Sequence, residues 1–317
     1  MTENQQHIVL QESVNIPACT LIVESIHYDH VSQYNKRLYN SNNHWPLEQK
    51  PVNYTETIAR CNLTEWVTDF RHDGTYTILD IPIQSWILEA NWLGQQTGQI
   101  SLLYYEDLKD YCARYERDPT YSMVFTPEAL AKVGGGYFVR SNSVSLKNGI
   151  HGAGPYTNLR KIIESLITCN AGHNPMNDYQ PETRTLRVYL FPWLDIQDEY
   201  RVFVHNRRVT AISQQDLGTP HPVMAQTDEP VEYACMVAGK LLAEFARSVQ
   251  PWLEQTNQDS ITIDMALLGS NLDAYVVDFN PFGPEHAAGS SLFHWELNWD
   301  KLSSPTGAPV YFRFTTI

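Results

Sequence analysis

The twenty residues from Ile261 to Asn280, ITIDMALLGSNLDAYVVDFN, run straight into Pro281 and leave little choice of local structure. Ile261, Ile263, Met265 and Leu267 alternate with Thr262, Asp264 and Ala266. After Gly269-Ser270-Asn271, Tyr275, Val277 and Phe279 alternate with Val276, Asp278 and Asn280. A period of two predicts a β-hairpin, because successive side chains on a strand point to opposite faces. Asp278 and Asn280 then share a face, and a turn centred on Asn271 sets Asp264 directly across from Asp278, roughly 5 Å away between Cβ atoms. Two like charges so placed repel, and burying them costs more. A divalent cation removes that cost, and oxygen ligands at this spacing suit Mg2+. The same pattern also fits the solvated outer face of an ordinary hairpin, and both readings stand at this point.

Elsewhere, alternation predicts strands at Ile8–Leu10, Thr20–Ile26, Thr185–Phe191, Glu199–Val204 and Arg208–Gln214, the last two joined around His205-Asn206. Cys61–Asp69, Thr75–Ile83 and Gln84–Trp92 read as short apolar runs of strand and turn, and Tyr137–Ser145 as a strand that turns polar. Helices are expected at His30–Tyr39, Tyr104–Glu116, from Thr126-Pro127 to Gly134, at Asn158–Asn170 and at Pro230–Val249, where Pro251 is the stop. Leu159, Ile162, Ile163, Leu166 and Ile167 have the spacing of a buried stripe. The longest helix is expected to bury Val231, Cys235, Ala238, Leu241, Leu242 and Phe245, and Trp45, Trp66, Trp86 and Trp92 are expected in cores or interfaces. Strands mixed with helices, with antiparallel hairpins in the second half, predict an α+β architecture. Residues 1–100 read as an N-terminal region without an assigned role, followed by a core over 101–317.

Two more stretches could carry chemistry. Arg140–Gly154 offers Arg140, Lys147, three serines and three glycines, and phosphates want closely approaching backbone N–H groups together with cationic charge. No GxGK[ST] occurs, so a P-loop is excluded, and a loop of solvated charges is the alternative. In Glu199–Val204, Arg201 sits in mid-strand, where it needs an anion: an internal carboxylate or a phosphate.

Composition narrows the partners. A formal charge of −14 opposes nonspecific attraction to phosphate backbones, which counts against a nucleic-acid binder. Five scattered cysteines without CxxC spacing point to a reduced, cytoplasmic protein without structural zinc. No apolar run reaches bilayer length and no secretory signal is visible.

FVRSNSVSLKNG (Phe138–Gly149), DEYRVFVHNRRVTAISQ (Asp198–Gln214) and ITIDMALL…AYVVDFNPFGP…LFHWEL (Ile261–Leu297) together resemble the D123, or cell division cycle protein 123, family. The resemblance implies an ATP-grasp fold, with an ATP·Mg2+ site between two α+β lobes, here over about 101–184 and 185–317. It implies Asp264, Asp278 and Asn280 as metal ligands, Arg140 at the phosphates, and Ser145 and Lys147 in the loop over the triphosphate. Arg201 would sit at the basic position of the EFR-type strand, making Arg201 and Lys147 the candidate catalytic groups. Phe191, Trp193 and Leu194 would lie beside the adenine. The chain departs from the family in YLFPW, which lacks a basic residue, and in SLKNG where SPKD is usual.

For eukaryotic members the family implies a protein partner, the γ subunit of translation initiation factor 2, and a role in assembly. The competing reading is an ATP-dependent carboxylate-amine ligase that works through an acyl phosphate; an RNA-modifying ligase is a third, which the negative charge disfavours.

Overall fold

The computed structural model describes residues 8–34, 37–42, 49–71, 75–194, 196, 198–286 and 288–317. Ten strands are described: β1 (Ile8–Ile16), β2 (Cys19–His27), β3 (Thr77–Pro82), β4 (Tyr137–Arg140), β5 (Thr185–Pro192), β6 (Asp198–His205), β7 (Arg208–Gln214), β8 (Ile261–Leu268), β9 (Asp273–Asn280) and β10 (Val310–Thr316). They form a seven-stranded sheet in the order β1-β2-β10-β7-β6-β8-β9 and a three-stranded sheet in the order β3-β5-β4. With helices interspersed, the α+β class is the one the sequence predicts. Among the described residues, no helix is long and apolar enough to cross a membrane.

The chain divides into two compact units, Met1–Cys61 with Asp195–Ile317, and Asn62–Leu194. These boundaries differ from the expected ones at 100/101 and 184/185. The physical reason lies at the chain's ends: β2 pairs in parallel with β10, so the start of the chain completes the larger sheet rather than forming a region of its own. The alternating VYFRFTT of β10 was not among the expected strands, although Phe312 and Phe314 face the core and are fully buried.

In the larger unit, Ala234, Val237, Ala238 and Leu241 of the helix Pro230–Glu244 are buried. Val231, Cys235 and Leu242 are only half-buried, a narrower stripe than expected. Nor does Pro251 stop the helical run. A π-helical turn at Phe245–Val249 leads into a further helix, Gln250–Gln255, with Pro251 in its first turn. The π-helical turn directly before Pro251 gives its ring more room than an α-helical turn would. Trp252 from this extension stacks on Phe279 with ring centroids 4.8 Å apart.

In the smaller unit the helix Leu159–Thr168 buries all five apolar residues of its expected stripe, at roughly 1.5–3 kcal/mol for each large side chain. Gln84–Trp92 is not strand and turn. It belongs to a helix, Ser85–Thr97, which buries Ile87, Ala90, Asn91 and Gly94 at the i, i+3, i+4, i+7 spacing. Cys61–Asp69 likewise holds a 3-10 turn, Leu63–Glu65, and a short helix, Val67–Phe70. Trp66 is buried and Trp86 packs against the core, whereas Trp92 is 62% exposed on the outer face of its helix; Trp45 lies outside the described residues. The helix expected at His30–Tyr39 spans Tyr28–Tyr34.

Candidate functional site

Register carries one polar line across the whole larger sheet. Gln11, Glu24, Arg313, Ser213, Arg201, Asp264 and Asp278 are successive cross-strand neighbours, one per strand. Directly opposed residues share a face, so all seven sit on one side. Asn280 pairs with Thr262 two residues along and shares that side. The hairpin thus brings Asp264, Asp278 and Asn280 together as expected.

Asp264 is only 5% exposed, which excludes the solvated-face reading for this carboxylate. Its charge is met by Arg201. The guanidinium grips it with two parallel bonds, Nε to Oδ1 and Nη2 to Oδ2, each 2.8 Å. Asn280 Nδ2 adds a third donor to Oδ2 at 3.1 Å. The remaining arm of Arg201, Nη1, donates to the Gly289 carbonyl. Burial opposes the Arg201 charge, but Asp264 beside it raises the guanidinium pKa above its ordinary value. The anion that a mid-strand arginine needs is therefore an internal carboxylate in this structure.

Asp278 is half-buried and accepts the Phe279 N–H at 3.0 Å. Burial, with a contribution from the Asp278 charge, pushes the Cys61 thiol up to about 12. The donor set of two carboxylates and an amide fits a hard cation: all are oxygen-bearing, and they lie side by side on one face. Asn280 would turn its amide oxygen inward, releasing its bond to Asp264 Oδ2.

Further along the line, Glu24 is fully buried between Arg313 and Lys301, each 2.7 Å away. Burial works to raise its carboxyl pKa, yet the two cations hold it below the ordinary range. The segment after β9 lies over this face through its carbonyls: Gly289 accepts from Arg201 and Leu292 from Arg313. Trp295 locks the segment, donating Nε1–H to the Ala288 carbonyl and backbone N–H to Ser41 Oγ, both at 2.7 Å. None of Glu24, Gly289, Arg313 or Ser41 was expected at the site. The one available signal was a second mid-strand arginine, Arg313, which needs an anion as Arg201 does.

The other expected residues belong to the smaller unit. Arg140 is buried at the end of β4, where Nε donates to the Ser141 carbonyl at 3.3 Å and the guanidinium lies 5.8 Å from the Trp66 ring. Its cross-strand partner is Tyr189, and Phe138 stands opposite Phe191. Tyr76 packs against Tyr189 and Phe191, with centroids 6.1 and 5.3 Å away, giving that face of the small sheet an aromatic surface. The strand does not continue to Ser145. The chain turns, Asp178 Oδ2 accepts from both the N–H and Oγ of Ser143 at 2.8 Å, and Ser145 forms an isolated bridge back to Arg140.

Beyond Ser145 the glycine-rich loop is seated on the helix Leu159–Thr168. Ile150 N–H donates to Thr168 Oγ1 at 2.9 Å, Tyr156 Oη to the Gly152 carbonyl at 2.8 Å, and His151 Nε2 lies 2.6 Å from Glu164. Lys147 projects from it, exposed. Trp193 and Leu194 are half-buried, and Trp193 N–H is shared between the Val133 and Gly136 carbonyls at 3.0 Å.

The D123 family profile matches residues 161–315, from the helix Leu159–Thr168 to the last strand. Over that stretch, just under half of its length, the chain is similar to the D123 family. Two solved structures of Cdc123 from Schizosaccharomyces pombe, one of them C-terminally truncated, each overlay with a TM-score of 0.51 at 17% identity. Each match covers 82% of this chain and 97% of the yeast one. At that identity the likeness shows a shared fold, and the mixed α+β class that the sequence predicts is the class found. D-alanyl-alanine synthetase A from Vibrio cholerae overlays at 11% identity and a TM-score of 0.37, covering 95% of this chain and 83% of that one, too loosely to carry an argument. No curated protein matches the sequence. The D123 match takes in Arg201, Asp264, Asp278 and Asn280; Arg140, Ser145 and Lys147 precede it.

Proposed function

We propose that this chain is a D123-type protein that binds ATP together with Mg2+ and uses the nucleotide to act on a protein partner, in the manner of an assembly factor. The observation that carries the reading is the opposition of Asp264 and Asp278 with Asn280 alongside, three oxygen-bearing side chains on one face of the larger sheet. Asp264, Asp278 and Asn280 would hold Mg2+ and leave room for water and phosphate oxygens beside it. When bound, the ion supplies charge neutralisation to the triphosphate.

The chain's own residues do the rest. Arg140 and Lys147 contribute positive charge to phosphate oxygens, and Ser145 a hydroxyl. Phe191, Trp193 and Leu194 give the base an apolar surface and backbone groups to bond, with Tyr76 and Tyr189 extending the aromatic face. Arg201 already bonds one of the three proposed metal ligands, Asp264. A protein partner suits an acidic chain of net charge −14, which repels nucleic acid. A translation factor subunit is the partner the family suggests.

Calorimetric titration of ATP with and without Mg2+ tests the nucleotide site. The reading expects binding that needs the metal, and it fails if Asp278→Ala leaves the metal-dependent affinity unchanged. Co-purification of one stoichiometric protein with negligible turnover supports the assembly role. Steady ADP release driven by a carboxylate and an amine would replace that role with the ligase reading.

A further inference from the structure

Resting on the functional reading above, we propose that Arg201 is a built-in counter-cation for Asp264, which an incoming divalent ion displaces and which then turns to the phosphates. A carboxylate offers about four lone-pair positions. Three donors already occupy Asp264: Nε and Nη2 of Arg201, and Nδ2 of Asn280. One position is left open by that count, and an ion that enters it, or that takes both oxygens, comes up against the guanidinium. Both are cations competing for one buried anion, and two cations drawn to the same carboxylate repel each other.

The third arm of Arg201 makes displacement feasible. Nη1 is tied to the Gly289 carbonyl, a partner independent of Asp264. The guanidinium can therefore pivot about that anchor instead of leaving, and it carries a fork suited to phosphate oxygens as well as carboxylates. The Gly289 position is closely fitted to this arrangement. A Cβ there would come within 2.6 Å of Asn40 Oδ1 and 3.3 Å of Arg201 Nη1. Without phosphate, displacing Arg201 takes a buried cation from its closest anion and leaves it only the weaker influence of Glu199 and Asp278, which opposes metal entry. With phosphate present the cation has a new partner, so metal and nucleotide bind cooperatively.

The test measures Mn2+ binding by calorimetry and electron paramagnetic resonance, with and without a non-hydrolysable ATP analogue, in wild type, Arg201→Gln and Arg201→Lys. Wild type is expected to bind Mn2+ weakly alone and tightly with the analogue. Arg201→Gln, folded by circular dichroism, is expected to bind Mn2+ alone about tenfold more tightly or better, and the analogue should add little. Arg201→Lys reaches only one carboxylate oxygen and is expected to tighten Mn2+ binding less, which keeps the test usable if the glutamine variant does not fold. Unchanged or weaker Mn2+ binding in a folded variant, with wild type binding Mn2+ and analogue together, overturns the displacement and leaves the nucleotide reading standing. Absence of Mn2+ binding in wild type, with or without analogue, overturns both.

Discussion

Asp264 and Asp278 face each other across β8 and β9 because the ladder steps over Val277: Met265 pairs with Val276, and the next pair is Asp264 with Asp278. A bulge of this kind re-aims side chains beyond it. Without it Asp278 would point to the core side, beside Phe279's present position. The arrangement keeps two carboxylates in direct opposition, which costs stability. Asp278→Asn is therefore expected to stabilise the metal-free chain by about 0.2–1 kcal/mol in urea unfolding. Asparagine can still accept the Phe279 N–H. A clear loss of stability would show that Asp278 is a structural group.

The other carboxylate should behave in the opposite way. Asp264→Ala strands the buried Arg201 guanidinium, and breaking a buried pair from one side costs about 3–5 kcal/mol. Urea unfolding of Asp264→Ala beside Asp278→Asn separates the two roles; equal effects would contradict the asymmetry.

Stability should fall in acid through Glu24. Its carboxyl is held below the ordinary range by Arg313 and Lys301 despite burial. A depressed carboxyl contributes stability that is complete above the unfolded-state pKa of about 4.3 and is lost as pH falls through the folded value. Urea midpoints measured from pH 6 to pH 3 should drop, and Glu24→Gln should flatten that part of the profile while lowering stability at neutral pH. A parallel profile in the variant would remove Glu24 from the acid response.

Two glycines of the loop after Ser145 are expected to differ. A Cβ on Gly149 would lie 2.6 Å from Ser165 Cβ and 2.7 Å from its Cα, so Gly149→Ala cannot seat the loop on its helix. Gly152 has φ of +61° with nothing within 4 Å, so alanine there meets only backbone strain, about 1–2 kcal/mol. Limited trypsin cleavage after the exposed Lys147 should speed up in Gly149→Ala and stay near wild type in Gly152→Ala. Equal rates would mean the loop is not held by the contact at Ser165.

The site was most legible where its parts are close in sequence. The pairing of Asp264 with Asp278 follows from local alternation, yet it is reached differently from the expected route. The turn is centred between Ser270 and Asn271, half a residue early, and the bulge at Val277 restores the register. Which anion Arg201 meets was not legible, because the pairing of β6 with β8 joins strands separated by two helices. The Glu24–Arg313 bond, spanning 289 residues, was further out of reach. The helix Ser85–Thr97 was missed for a different reason. Read as a nine-residue run, Gln84–Trp92 is too short to show its helical period, which becomes plain only when Gly94 is included.

The most direct measurement of the central claim is an anomalous difference map from crystals grown with Mn2+ and a non-hydrolysable ATP analogue. The account predicts a Mn2+ peak at about 2.0–2.4 Å from oxygens of Asp264, Asp278 and Asn280, with phosphate oxygens completing the shell. Bound nucleotide with no metal at these three side chains, or with the metal held elsewhere, would contradict it.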